Sequence, residues 1–209
     1  MTLHNQIKLG DMDLQLLPER AALCWREKIL FISDLHLGKD ALWRSSGQYV
    51  PEVSKHDLIR LDNILDNITV DTVVIVGDLV HSRVNQDFLY LDDFLNTRDE
   101  KFILVKGNHD NFAQKYLLSS DIEIVDVIDM NGVTVVHNRH DVGSDVPTLS
   151  GHEHPALKIP DVGKLPAYTL YKNSQLVLPA FGSFNGSMRV KHIDFEQCWV
   201  VAEGQVIKI

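Results

Sequence analysis

The sequence predicts an α/β chain of the α+β sandwich type: two mixed β-sheets packed face to face, with helices on the outer faces. Three observations predict it. The first half alternates short apolar runs with stretches of helical periodicity, the second half reads almost entirely as strands, and no Pro/Gly/Ser-rich linker separates the two. At 209 residues the chain suffices for one domain with a full core and is short for two, so 1–209 is read as a single domain.

The elements follow in order. "LQLLPERAALCW" reads as a hairpin turning near Pro18–Arg20, and "KILFIS" as a short buried strand. "SKHDLIRLDNILDNI" carries Leu or Ile at 58, 59, 61, 64, 65 and 68, the spacing of one helix face. "DTVVIVG" is a buried strand, "QDFLYLDDFLN" a helix, "KFILVKG" a strand and "NFAQKYLLSS" a shorter helix. β-rich segments follow: "IEIVDVIDM", a hairpin-type turn at Asn131–Gly132, "VTVVHN", "PTLSGH", "AYTLYKNSQLVLPAFG", "KHIDFEQCWVVAEG" and "QVIKI".

Composition bounds the function. No apolar run approaches the roughly 20 residues of a membrane span, and the N-terminus lacks the features of a signal peptide. Cys24 and Cys198 are far apart and outside any CxxC, which fits reduced core thiols in a cytoplasmic protein. A net charge of −9 disfavours a general nucleic-acid coat. It leaves room for a nuclease, whose cleft can take positive charge from bound metal. Ten histidines are many for this length, and several lie beside acids, glycines or asparagine. His4, His56 and His192 read as exposed residues without a role.

Five apolar runs end in metal-type residues: Asp34 and His36; Asp78 and His81; Asn108, His109 and Asp110; His137 and His140; His152 and His154. Ligands bind at the C-terminal edge of strands in open α/β sheets, so five such clusters predict one convergent cleft. Taken as extended segments, Asp34/His36 and His152/His154 each present two ligands to one side. Gly77, Gly107 and Gly151 are expected to turn the backbone sharply before the ligand. Imidazoles with carboxylates suit Mn, Fe or Zn, and no cysteine lies near to make a thiolate zinc site. The ligands suffice for two divalent ions: Asp34, His36 and His154 on one, Asn108, His137 and His152 on the other, and Asp78 bridging. Two cations about 3.5–4 Å apart can clamp a phosphate and acidify a shared water. His109 is the candidate general acid or transition-state stabiliser, with Asp110 orienting its ring or capping the helix that follows. His140 is the rival to His137.

These blocks resemble the calcineurin-like metallophosphoesterase superfamily, whose pattern is DxH, GD, GNH[DE], a strand-end histidine and GHxH. Here they stand as Asp34-Leu-His36, Gly77-Asp78, Gly107-Asn108-His109-Asp110, His137 and Gly151-His152-Glu153-His154. Where many members carry a second acid after GD, this chain has His81. "DLHLGKDALWRSSGQYVPE", "GDLVHSR", "SGHEHPALKI" and "LPAFGSFNG" are similar to a ligase-associated DNA-repair phosphoesterase subgroup. That resemblance implies a Mn-dependent phosphodiesterase or nuclease acting on DNA or nucleotides, with repair ligase and helicase partners. Alternatives are a phosphomonoesterase or protein phosphatase, a 2′,3′-cyclic nucleotide phosphodiesterase, and a non-catalytic scaffold, which would predict damaged ligand positions. Arg44, Arg83 and His81 are candidate substrate contacts, with Arg139 and Lys39 as weaker ones, since basic groups at the cleft steer phosphates. "LPAFGSFNGS" is expected to pack its backbone against the metal loops.

Overall fold

A computed structural model of the protein describes residues 5–81, 83–190 and 195–209. The elements are β1 (Gln6–Leu9), β2 (Met12–Leu16), β3 (Ala22–Cys24), β4 (Ile29–Ile32), α1 (Lys39–Ser45), α2 (Val53–Asn67), β5 (Thr72–Ile75), α3 (Phe88–Asn96), β6 (Lys101–Val105) and α4 (Gln114–Leu117). Ten strands follow: β7 (Glu123–Val125), β8 (Ile128–Met130), β9 (Val133–Val135), β10 (Thr148–Ser150), β11 (Pro155–Ile159), β12 (Gly163–Tyr171), β13 (Gln175–Val177), β14 (Met188–Val190), β15 (Gln197–Ala202) and β16 (Gln205–Lys208).

Strands β1 to β7 form one sheet in chain order, antiparallel through β4 and parallel from β4 to β7. The other nine form a second sheet ordered β14-β11-β12-β13-β10-β9-β8, with β15 added to β12 and β16 to β15. "IEIVDVIDM" therefore divides, β7 closing the first sheet and β8 opening the second. Asn131 and Gly132 both have positive φ (49° and 72°), the two-residue turn that joins β8 to β9.

Alternation assigns the faces. Leu30 and Ile32, Val73 and Ile75, and Phe102 and Leu104 join the core beneath α2, α3 and α4. Their neighbours Phe31, Val74 and Val105 join the core between the sheets, with Val133, Val135, Leu149, Leu176 and Trp199. Strands buried on both faces must read as continuous apolar runs, as these do. The helical layer covers the first sheet; among the described residues no α-helix follows Leu117. α4 is a single turn that prolongs a 3₁₀ turn at Asp110–Ala113.

Register places the site. Ile32, Ile75 and Leu104 lie side by side at the ends of three parallel strands, so the loops bearing Asp34, Asp78 and Asn108 leave from one edge. β9, β10 and β13 are also mutually parallel and deliver His137, His152 and the segment from Leu178. The edges are stitched together: Phe181 N–H donates to Ser33 O (2.7 Å) and Gly182 N–H to Asp34 O (3.1 Å).

Candidate metal centre

The loops that carry the candidate ligands are not extended. Asp34, His36, Asp78, His152 and His154 all have φ between 46° and 67°, which corrects the expectation that i and i+2 share a side through strand geometry. A left-handed non-glycine residue costs roughly 1–2 kcal/mol. The loops hold that conformation by backbone pairing, Asp34 N–H to Gly77 O (3.0 Å) and His36 N–H to Asp78 O (2.9 Å). Two of the three glycines act differently from expectation as well. Gly77 is left-handed (φ +82°), but Gly107 and Gly151 are not; there a Cβ would stand 2.3 Å from Asp78 Oδ1 and 2.5 Å from Asp34 Oδ2. Their role is close approach.

Three groups of donor atoms converge, each within 4.8 Å: Asp34/His36/His154, Asp78/His137/His152 and His36/His81/His109. His154 Nε2 lies 3.1 Å from Asp34 Oδ1 and 3.3 Å from His36 Nε2. Asp78 Oδ2 lies 3.6 Å from His36 Nε2 and 3.4 Å from His137 Nε2, so one carboxylate oxygen faces both of the first two groups. His152 Nδ1 is 3.1 Å from His137 Nε2.

This donor set fits divalent cations. The outward nitrogens are occupied: His137 Nδ1 meets Val76 O at 3.0 Å and His154 Nδ1 meets Gly186 O at 2.9 Å. Each ring then turns its other nitrogen toward carboxylate oxygens, as metal-binding histidines do. Burial pushes His36 down to about 3 against the pull of Asp34 and Asp78, so it is a neutral imidazole at pH 7. Burial pushes Asp78 up, but the His137 hydrogen bond and the His109 N–H outweigh it and bring it to about 2. Burial also opposes a proton on His137, yet Asp78 and Asp34 overcome this and raise it to about 9.

Asn108 follows Gly107 on the loop packed against Asp78, and its side chain is exposed. His109 donates its backbone N–H to Asp78 Oδ1 (2.9 Å), and its ring lies 5.0 Å from that of His36. His81 stacks on His109 (4.6 Å, 18°) and brings Nδ1 to 3.0 Å from His36 Nδ1, so it stands behind His36 and not in open solvent. His140 reaches Glu153 (3.3 Å), and His137 takes the place at Asp78.

Two expectations are corrected. Asp110 does not orient the His109 ring. Its carboxylate accepts three backbone N–H groups, from Asp78 (3.0 Å), Val80 (3.1 Å) and Gly107 (2.8 Å), tying two ligand loops together. Arg44 is not offered to substrate: it bonds Asp40 and Asp87, both at 2.9 Å and both buried. Arg83 is exposed and lines a hollow with His81 and His109. Arg139 is held by Glu153 (2.7 Å), and Lys39 lies over the Phe184 ring. His4 and His192 lie outside the described residues, and His56 is exposed.

Two supporting residues escaped the sequence reading. Asn185 donates to Asp34 O (2.6 Å) and to Gly182 O (3.2 Å), which gives "LPAFGSFNGS" its expected place against the metal loops. Glu153, between two histidines, receives Arg139, Tyr171 (3.1 Å) and His140. Its position inside Gly151–His154 was the available signal.

The family model described as calcineurin-like phosphoesterase matches residues 27–183. The crystal structure of Pseudomonas putida nuclease MPE is similar over 98% of each chain, with 27% identity and a TM-score of 0.82. YfcE, a phosphoesterase from E. coli, matches over 87% of this chain and 97% of its own at 10% identity and a TM-score of 0.45. A family match over most of the length, on top of five strand-end clusters gathered around Asp78, places this chain in the calcineurin-like phosphoesterase family, hydrolases of phosphoesters.

Proposed function

We propose that the protein is a two-metal phosphodiesterase acting on nucleic acid or nucleotides. The observation that carries this reading is the single Asp78 oxygen facing both His36 and His137, because a shared carboxylate is what a pair of cations requires. The similarity to a nuclease along the whole chain supports nucleic acid as the substrate.

Asp34, His36 and His154 would hold one ion; His137, His152 and Asn108 the other; Asp78 would bridge. Two Mn²⁺ ions would supply charge neutralisation at phosphorus and an acidified water. The remaining work falls to the chain. His109, with its backbone anchored on Asp78 and its ring beside His36, donates a proton to the departing oxygen. Asp110 keeps the Asp78 and Gly107 loops in register. Arg83 would meet a phosphate flanking the scissile one. The motif resemblance supports a DNA-repair setting beside a ligase and helicase. Two free, buried thiols support a reducing, cytoplasmic one. No helix among the described residues is long and apolar enough to cross a membrane.

The test is hydrolysis of bis-p-nitrophenyl phosphate against p-nitrophenyl phosphate with added Mn²⁺. The reading expects the diester to be preferred, Asp78→Asn to lose metal, and His109→Ala to keep metal while turning over a natural nucleic-acid diester on the order of 10²-fold more slowly. Protein that retains Mn²⁺ and hydrolyses only the monoester overturns it.

A further inference from the structure

We propose that the hollow beside His109 is a nucleobase subsite, which seats the base of the nucleoside that leaves. This deepens the phosphodiesterase reading and rests on it. The hollow, about 580 Å³, is walled by Ala41, Leu42, Val84 and Phe112, with His81 and His109 on its inner side. Leu42, Val84 and Phe112 are 47%, 54% and 56% exposed, so three large apolar side chains from three separate segments gather half-bare at the edge of a charged centre. Such clustering marks a binding surface, whereas single exposed apolar residues do not.

Position names the occupant. His109 forms part of this wall and is the group assigned to the departing oxygen, so whatever is attached to that oxygen lies here. Apart from Arg83, assigned above to a flanking phosphate, the outer walls are hydrocarbon and the Phe112 ring, whose centroid is 5.8 Å from the His109 ring. A bare sugar would leave hydroxyls unpaired against such walls. A flat, weakly polar base gains from stacking there. The neutral polar groups at the rim already have partners: Ser45 Oγ donates to Leu42 O (2.7 Å), and Asn85 donates to Gly38 O (3.0 Å) and accepts from Asp87 N–H (3.0 Å). The subsite therefore grips a base by its face and discriminates weakly among bases.

The experiment compares thymidylyl-thymidine with two analogues, each lacking the base on one side, the leaving side being read from the products. The expected result is that kcat/KM favours the substrate whose leaving nucleoside carries a base. In Phe112→Ala that preference falls roughly 5- to 150-fold, the usual worth of one base–aromatic stack, and Phe112→Trp restores it. Leu42→Ser, on a different element, repeats the test should Phe112→Ala disturb folding. Normal diester hydrolysis with the preference absent, or unchanged in both Phe112→Ala and Leu42→Ser, overturns the subsite and leaves the phosphodiesterase reading standing. Failure of Mn²⁺-loaded wild type on every diester overturns both.

Discussion

His36 and His154 bring their Nε2 atoms to 3.3 Å although 118 residues separate them. With Nδ1 of each already engaged, by His81 and by Gly186 O, the two Nε2 atoms face each other and the Asp34 carboxylate. A divalent cation placed among them satisfies all three groups at once. Mn²⁺ should therefore stabilise the fold. At a hundred times Kd the gain is about 2.7 kcal/mol, an increase in Tm of roughly 5–10 °C for a chain of this size. Differential scanning calorimetry with Mn²⁺ and then with EDTA reads it, and an unchanged Tm would refute it.

His137 sets the pH dependence. Its pKa is raised to about 9 because Asp78 and Asp34 outweigh the penalty of burial. The folded, cation-free protein thus holds a proton that the unfolded chain releases near 6.5. That contribution to stability is full below about 6.5 and disappears as pH rises toward 9. Urea midpoints of EDTA-treated protein should fall over this window. Mn²⁺ affinity should rise over the same window, because the metal competes with that proton. Calorimetric titrations in buffers of different ionisation enthalpy should register its release.

Gly77→Ala should be among the most damaging single-methyl changes in the chain. Its Cβ would stand 2.0 Å from His137 Nδ1, on a backbone with φ +82°. Gly204 has a similar φ of +70° with nothing within 4 Å, so Gly204→Ala isolates the conformational cost, about 1–2 kcal/mol. Chemical denaturation should show Gly77→Ala losing clearly more than Gly204→Ala and, unlike it, losing metal.

Arg44→Ala should harm stability and spare substrate affinity. The guanidinium bridges Asp40 and Asp87, each about 1% exposed. Burial and the neighbouring Asp40 already push Asp87 up. Removing the shared cation leaves two buried carboxylates facing each other, a loss of about 3 kcal/mol or more. A raised KM with unchanged Tm would return Arg44 to the substrate contacts.

What could be read from the sequence was local. Each ligand follows an apolar run, and burial on both faces writes those runs as continuous Val, Ile and Leu, so the strand ends and the candidate ligands were visible together. The left-handed φ of Asp34 and His36 was not, because nothing in the motif distinguishes it from an extended one. Arg44 was misjudged because its partner Asp87 lies 43 residues on. Asp110 was misjudged because its partners are backbone N–H groups, which carry no sequence signature. The helical layer on one sheet follows from where the 3.6-residue periodicity stops, near residue 117.

Glu153 gives the last prediction. It sits between His152 and His154 with its side chain 8% exposed, and its carboxylate accepts from Arg139 Nε (2.7 Å) and Tyr171 OH (3.1 Å). Arg139 in turn lies 3.9 Å over the Tyr171 ring. The loop that delivers both histidines is thereby pinned from behind, and an anchored ligand loses less entropy on binding. Glu153→Ala should release it and leave Arg139 without its anion, lowering Mn²⁺ affinity roughly 10- to 100-fold. Glu153→Gln keeps an acceptor of the same shape for both donors, so it should recover most of that loss. Metal titrations of the two variants decide the matter: equal affinities in Ala and Gln would show that charge alone was at stake, and wild-type affinity in both would show that the histidines need no brace.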